Sequence, residues 1–251
     1  MCTVVILLRP GTDWPVILGA NRDEMADRPW KPPARHWPDR AHVTAGLDEL
    51  AVGSWLGLND DGLVASVLNR KGSLGPKPGK RSRGELVLEA LEHADALAAA
   101  AALAGLEPAS YRPFNMVIAD NTEAYWLHHQ GSGRIEVQAV SPGLSMLTAH
   151  EINDHDTSPR IQAYLPRFRA APVPNPETGD WRAWEALMGG RAIDPEAGPR
   201  SAMTVITEGG YGTISSSLIA LPGLDPEDRR PLWRFAAGRP GEVPYRAVAG
   251  F

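Results

Sequence analysis

Cys2-Thr3-Val4-Val5-Ile6-Leu7-Leu8, closed by Arg9-Pro10-Gly11, is the stretch on which the reading of the chain turns. β-Branched and aliphatic side chains running into a Pro-Gly turn predict a buried strand over residues 3–8. At its head stands Cys2, the only cysteine of the 251 residues. Aminopeptidases usually remove an initiator methionine that precedes a small residue, so Met1 is expected to be lost. The mature chain would then carry a thiol and a free α-amine on one residue. That amine has an unperturbed pKa of about 7.7–8.0, close enough to neutrality to take up a proton during nucleophilic attack. The competing reading makes Cys2 a small buried hydrophobe at a strand start.

Working outward, residues 14–20 predict a second strand, joined to the first by a hairpin at Gly11-Thr12-Asp13. A proline-rich stretch holding Trp30, His36 and Trp37 reads as an ordered loop. Residues 55–58 and 63–68 read as a hairpin around Asn59-Asp60-Asp61-Gly62, where Asx and Gly chemistry suits a tight turn. Leu86, Leu88, Leu91, Ala94 and Leu97 recur at helical spacing and predict one helix over 84–103. Short strands follow at 115–119, 124–128, 134–140 and 144–148, then a helix at 180–188 and a strand pair at 202–207 and 213–220. Hairpin strands with helices clustered between them predict a single α+β domain over 1–251, mainly of antiparallel sheets.

Hydrophobic residues make up 43% and charged residues 22%, ordinary for a globular protein, and the net charge of −5 gives no support for nucleic-acid binding. A lone cysteine excludes an internal disulfide and fits a reducing compartment. The N-terminal apolar run is too short for a signal peptide or a membrane span. A cytoplasmic protein without a membrane span is expected.

Asn21-Arg22-Asp23-Glu24, placed directly after the second strand and followed by Arg28-Pro29, is the sharpest ionisable string. An arginine fork there can grip a carboxylate or amide; a strand-end salt-bridge cluster is the plainer reading. A thiol beside that guanidinium is expected to have a lowered pKa. Residues 69–83 hold six basic side chains and no acidic one, which predicts either a solvated loop or a mobile anion-binding flap carrying Arg70, Lys80 and Arg81. The spacing from His150 to His155 misses the zinc-helix pattern by one residue, so 150–158 reads as a polar loop leading into a helix. His128 and His129 adjoin on a strand and should face opposite ways. No metal site is expected.

The order Met1-Cys2-Thr3, Ala20-Asn21-Arg22-Asp23-Glu24, Arg28-Pro29, Gly53-Ser54-Trp55-Leu56-Gly57-Leu58-Asn59, Asn69-Arg70, Ser82-Arg83-Gly84 and Phe114-Asn115 resembles the NRDE family, also called the transport and Golgi organisation protein two family. The resemblance implies an N-terminal-nucleophile hydrolase-like fold, a four-layer αββα sandwich, and a likeness to N-terminal-cysteine acylases that cleave bile-salt and penicillin amides. By position it implies Cys2 as nucleophile, Arg22 with Asp23 as the supporting pair, and Asn69 as an oxyanion donor. Asn21, Glu24, Trp55, Arg70, Lys80, Arg81 and His150 complete the expected ligand-binding set. One position departs: Ala149 stands where many family members carry an asparagine, and His150 or Asn153 are the nearest replacements. The leading function is hydrolysis of an amide or thioester bond in an acylated small molecule, without a cofactor. The alternative is a non-catalytic carrier of haem or an acyl lipid such as acyl-CoA, with Cys2 or a histidine as an axial ligand to haem iron.

Overall fold

The computed structural model describes residues 2–224 and 229–250, so Met1 and its expected removal lie outside the described residues. Strand β1 (Thr3–Leu8) lies between β2 (Val16–Met25) and β10 (Gly143–Leu147), and β2 pairs in turn with β11 (Tyr211–Leu221). Beyond β11 come β12 (Leu232–Ala236) and β13 (Arg246–Ala247), giving a six-stranded sheet. A seven-stranded sheet runs in chain order through β3 (Trp30–Ala34), β4 (Val43–Asp48), β5 (Leu56–Asn59), β6 (Val64–Asn69), β7 (Phe114–Ala119), β8 (Ala124–His129) and β9 (Glu136–Ala139). Neighbouring strands in both sheets are antiparallel.

Side-chain alternation builds the layers. Along β1, Val4, Ile6 and Leu8 enter a core shared by the two sheets, where they meet Leu56, Leu58, Val117 and Trp126. Val5 and Leu7 point the other way, into a core beneath α3 (Pro159–Ala170) and α4 (Arg182–Met188). The outer face of the seven-stranded sheet is covered by α1 (Gly84–Ala90) and α2 (Ala96–Ala104). The result is the expected αββα sandwich. No helix among the described residues is long and apolar enough to cross a membrane.

Several elements differ from the sequence reading, and β4, β12 and β13 have no counterpart in it. The second strand continues through Asn21-Arg22-Asp23-Glu24 to Met25, because β11 supplies hydrogen-bonding partners along that whole length. The proline-rich stretch contains β3 rather than only loop; Pro32 and Pro33 fall where its register to β4 is interrupted, at the sheet edge where proline is tolerated. The single helix over 84–103 is two. Asn59 Nδ2 donates to Leu91 O at 3.0 Å and His93 O at 2.8 Å, and the Asp95 carboxylate caps α2 by accepting from Ala98 N at 2.7 Å. The carbonyls that would continue α1 are thus held outside the helix. Finally, residues 202–207 form no strand: Met203 O accepts from Asn21 and Val205 N donates to Thr213 Oγ1. The far-side partner of β11 is β12. His128 and His129 do diverge, one stacked on Trp126 at 4.2 Å and the other beside Phe114.

Candidate active site

Cys2 and Arg22 share the inter-sheet face of the six-stranded sheet, in step with Val4 on β1 and Ala20 on β2. There they line a cleft of about 440 Å³ together with Glu24, Trp55 and Asn69. The Cys2 Sγ accepts from Asp23 N at 3.4 Å, and the thiol lies 3.7 Å from Asp23 O as a weak donor. Burial pushes the thiol pKa up, and the Asp23 carboxylate adds to the rise; the Asp23 backbone contact and the Arg22 charge pull it back only in part. The expected lowering by the guanidinium is therefore outweighed by desolvation.

Arg22 is 4% exposed. Its Nη2 donates to Asp48 Oδ2 at 2.9 Å, and its guanidinium stacks 4.0 Å over the Trp55 ring. Asp48 is further gripped by Arg28, at 2.7 and 3.0 Å. Arg22 Nη1, however, is buried without a hydrogen-bond partner among the described residues. A charged donor held out of water and left unbonded costs free energy unless something else binds it. Behind Trp55, a Cβ at Gly46 would lie 2.3 Å from the ring, so only glycine lets the indole sit flat on β4.

Asp23 contributes backbone to the cleft, but its carboxylate is on the other face of the sheet. Thr213 Oγ1 donates to Oδ1 at 2.6 Å and Arg160 Nη1 to Oδ2 at 3.2 Å, with the Asp23 side chain 0% exposed. A bulge in β11 between Thr213 and Ser215 turns the threonine towards it. The expected supporting pair is thus split across the sheet. Asn21 is also on that far face, donating to Met188 O and Met203 O and accepting from Ser216 Oγ at 2.6 Å. It is fully used in holding β2 to the α4 end and is not a ligand contact. Arg160 was absent from the expected site; an arginine in the first turn of a helix carries no sequence signal that it will be buried.

Asn69 ends β6 in the cleft, and its side-chain amide has no partner among the described residues. The position occupied by Ala149 is buried and brings no donor. Neither proposed replacement serves the cleft. Asn153 donates to Ser145 Oγ and accepts from Met146 N, closing the end of β10. His150 lines a separate cavity and pairs through Nδ1 with Thr157 Oγ1 at 2.8 Å. Arg70 also stays out, since it holds Asn115 Oδ1 at 2.7 Å and ion-pairs with Glu151.

Lys80 and Arg81 do line the cleft, with Lys77, Arg83 and Arg112. Hydrogen bonds tie the loop that carries them to its surroundings. Arg112 donates to the carbonyls of Gly72, Leu74 and Gly75, and Arg83 Nη1 to Ser73 O and Pro113 O. Burial and the neighbouring Arg112 lower the Arg83 pKa to about 10. Lys80 reaches Ala109 O, and Arg81 pairs with Glu85 at 2.6 Å. Where the flap runs into α1, Gly84 meets Gly53 backbone to backbone: a Cβ on Gly53 would lie 2.6 Å from Gly84 C, and Ser54 N donates to Gly84 O at 3.1 Å.

Known structures share this architecture. An N-acylethanolamine-hydrolyzing acid amidase ortholog from Caenorhabditis elegans superposes with a TM-score of 0.58 at 13% identity, covering 90% of this chain and 94% of that one. Penicillin V acylase from Agrobacterium tumefaciens gives 0.56 at 14% identity over 94% and 83%. A variant of conjugated bile acid hydrolase from Clostridium perfringens gives 0.56 at 13% identity over 98% and 92%. At these identities the likeness establishes the N-terminal-nucleophile hydrolase fold. No curated protein is matched by sequence. The family model for Transport and Golgi organisation 2 matches residues 1–222, and the chain belongs to that family.

Proposed function

We propose that the chain is an N-terminal-cysteine hydrolase acting on an amide or thioester bond of an acylated small molecule. The observation that carries the reading is the gathering, in one cleft, of the Cys2 thiol, the Arg22 side chain and the Asn69 amide, with Arg22 Nη1 and the Asn69 amide unbonded among the described residues. With Met1 removed, the α-amine takes the thiol proton as sulfur attacks the acyl carbon. Negative charge then develops on the carbonyl oxygen, where Asn69 Nδ2 and Arg22 Nη1 are the available donors. Collapse breaks the bond to the leaving nitrogen or sulfur, which receives the proton from the amine, and leaves a Cys2 thioester. Water, deprotonated by the same amine, releases the acid and restores the thiol. Asp23, anchored by Arg160, would position the amine from the far face of the sheet.

A panel of acyl amides and acyl thioesters tests this, with the protein's intact mass measured in parallel. Turnover is expected only from chains lacking Met1, and Cys2→Ala should abolish it while leaving ligand affinity nearly unchanged. A processed wild type that turns over nothing in the panel would sink the proposal.

A second reading is favoured by the walls of the cleft, where the Trp55 ring shares the cavity with the cations Lys77, Lys80 and Arg81. On that reading the cleft is a carrier of haem or an acyl lipid, with the Trp55 wall against the apolar part and the basic rim against anionic groups. No histidine is among the described residues lining this cleft, so axial ligation of haem would fall to Cys2. Haem titration should then give a saturable thiolate-type absorption band that Cys2→Ala loses. Saturable binding without that band would exclude Cys2 ligation.

A further inference from the structure

A second cavity, of about 500 Å³, lies on the α3 side of the six-stranded sheet and shares no lining residue with the Cys2 cleft. Its walls come from three parts of the chain: the root of the flap, the segment after β10, and the first turn of α3 with the loop around residue 200. Lys71, His150, Arg160 and Arg200 line it, and no acidic residue does. In a chain of net charge −5, a concave surface with that bias attracts anions.

Two of the nearby acids already have partners. Asp154, 3.9 Å from His150, accepts from the backbone of Asp156 and Thr157, and Glu151 is paired with Arg70. Neither Lys71 Nζ nor the Arg200 guanidinium has a hydrogen bond or ion pair among the described residues. Both are exposed, whereas Arg160 at the floor is only 4% exposed. Arg160 is held in place by Asp23 on one side and by Arg200 O, at 2.9 Å, on the other. The cavity thus joins two open cations to a third, Arg160, that is fixed by its pairing with Asp23.

We propose that this cavity is an oxyanion-binding site, taking a carboxylate or phosphate group between Lys71 and Arg200 above Arg160. The site shares Arg160 with the support proposed for the Cys2 amine, but its occupancy is measured without turnover. Calorimetric titration of the full chain with sodium phosphate, and separately with sodium acetate, tests it at low ionic strength, where exposed charges are least screened. Saturable binding of at least one probe is expected, and which one binds identifies the chemistry. Lys71→Gln combined with Arg200→Gln should weaken it about tenfold or more, since both charged contacts are lost. Lys77→Gln combined with Lys80→Gln removes the same charge from the other cleft and should change it by less than about twofold. No saturable binding of either probe overturns the proposal. So does equal weakening in the two double variants, which marks non-specific attraction, or loss confined to the Lys77 and Lys80 pair, which places the anion in the Cys2 cleft.

Discussion

Cys2 is pulled in two directions by its neighbours, and burial wins. Its alkylation by iodoacetamide should therefore rise with pH through a midpoint above the value of about 8.5 typical of a free cysteine. Arg22 stabilises the thiolate, so Arg22→Gln should move that midpoint higher still. A wild-type midpoint below that of the free amino acid would show that the guanidinium outweighs desolvation. The identities of Cys2, Arg22 and Asn69 were legible because each stands in an ordered string of motif residues. What each side chain touches was less so. A strand ended at Ala20, five residues short of Met25, leaves Asp23 beside Arg22 as a partner, whereas adjacent residues on the longer strand face opposite ways. Arg160 lies 137 residues from Asp23 in the chain, and only the folded sheet brings them together.

Asn59 decides where one helix stops and another starts. Its amide caps two carbonyls at the α1–α2 break while its Oδ1 accepts from Leu63 N at 2.9 Å. Asn59→Ala leaves those buried groups unbonded and should cost about 1–3 kcal/mol, read as a lower urea midpoint at unchanged slope. An unchanged midpoint would show that water or a shifted loop replaces the amide. Arg112 plays the corresponding part for the flap. Arg112→Ala should speed amide hydrogen exchange over residues 72–76 while leaving β6 and β7 protected, and equal protection in variant and wild type would show that Arg83 alone suffices. Short apolar runs bounded by turn residues, such as β1, β5 to β8 and β10, were legible to within a residue or two. The helix break was not, because its cause is a side chain from a distant turn. β12 was missed although Trp233 and Phe235 alternate with Arg234, since the residues at 202–207 offered an equally apolar partner for β11.

Across the whole molecule, the six-stranded sheet acts as a partition. A cleft with the thiol opens on one face, and the carboxylate and arginine that brace the strand end sit on the other. The basic rim is concentrated on the thiol side, in a chain that is acidic overall. If the proposed acylated substrate carries an anionic group, neutralising Lys77, Lys80 and Arg81 together should raise its KM more at low salt than near physiological ionic strength, where screening acts within about 8 Å. An equal rise at every salt concentration would assign these side chains to packing. The layered architecture was legible from local patterning and from the family resemblance. The order of strands was not, because pairings such as β2 with β11 join segments almost two hundred residues apart, and nothing local encodes them. The contact of Gly53 with Gly84 has one more consequence. Elsewhere around the cleft a wall can be rebuilt by exchanging side chains, but at this point main chain rests on main chain and nothing is left to exchange. Any side chain introduced at Gly53 must push the start of α1 away from the segment before β5, so the spacing between flap and sheet is set here by main chain alone.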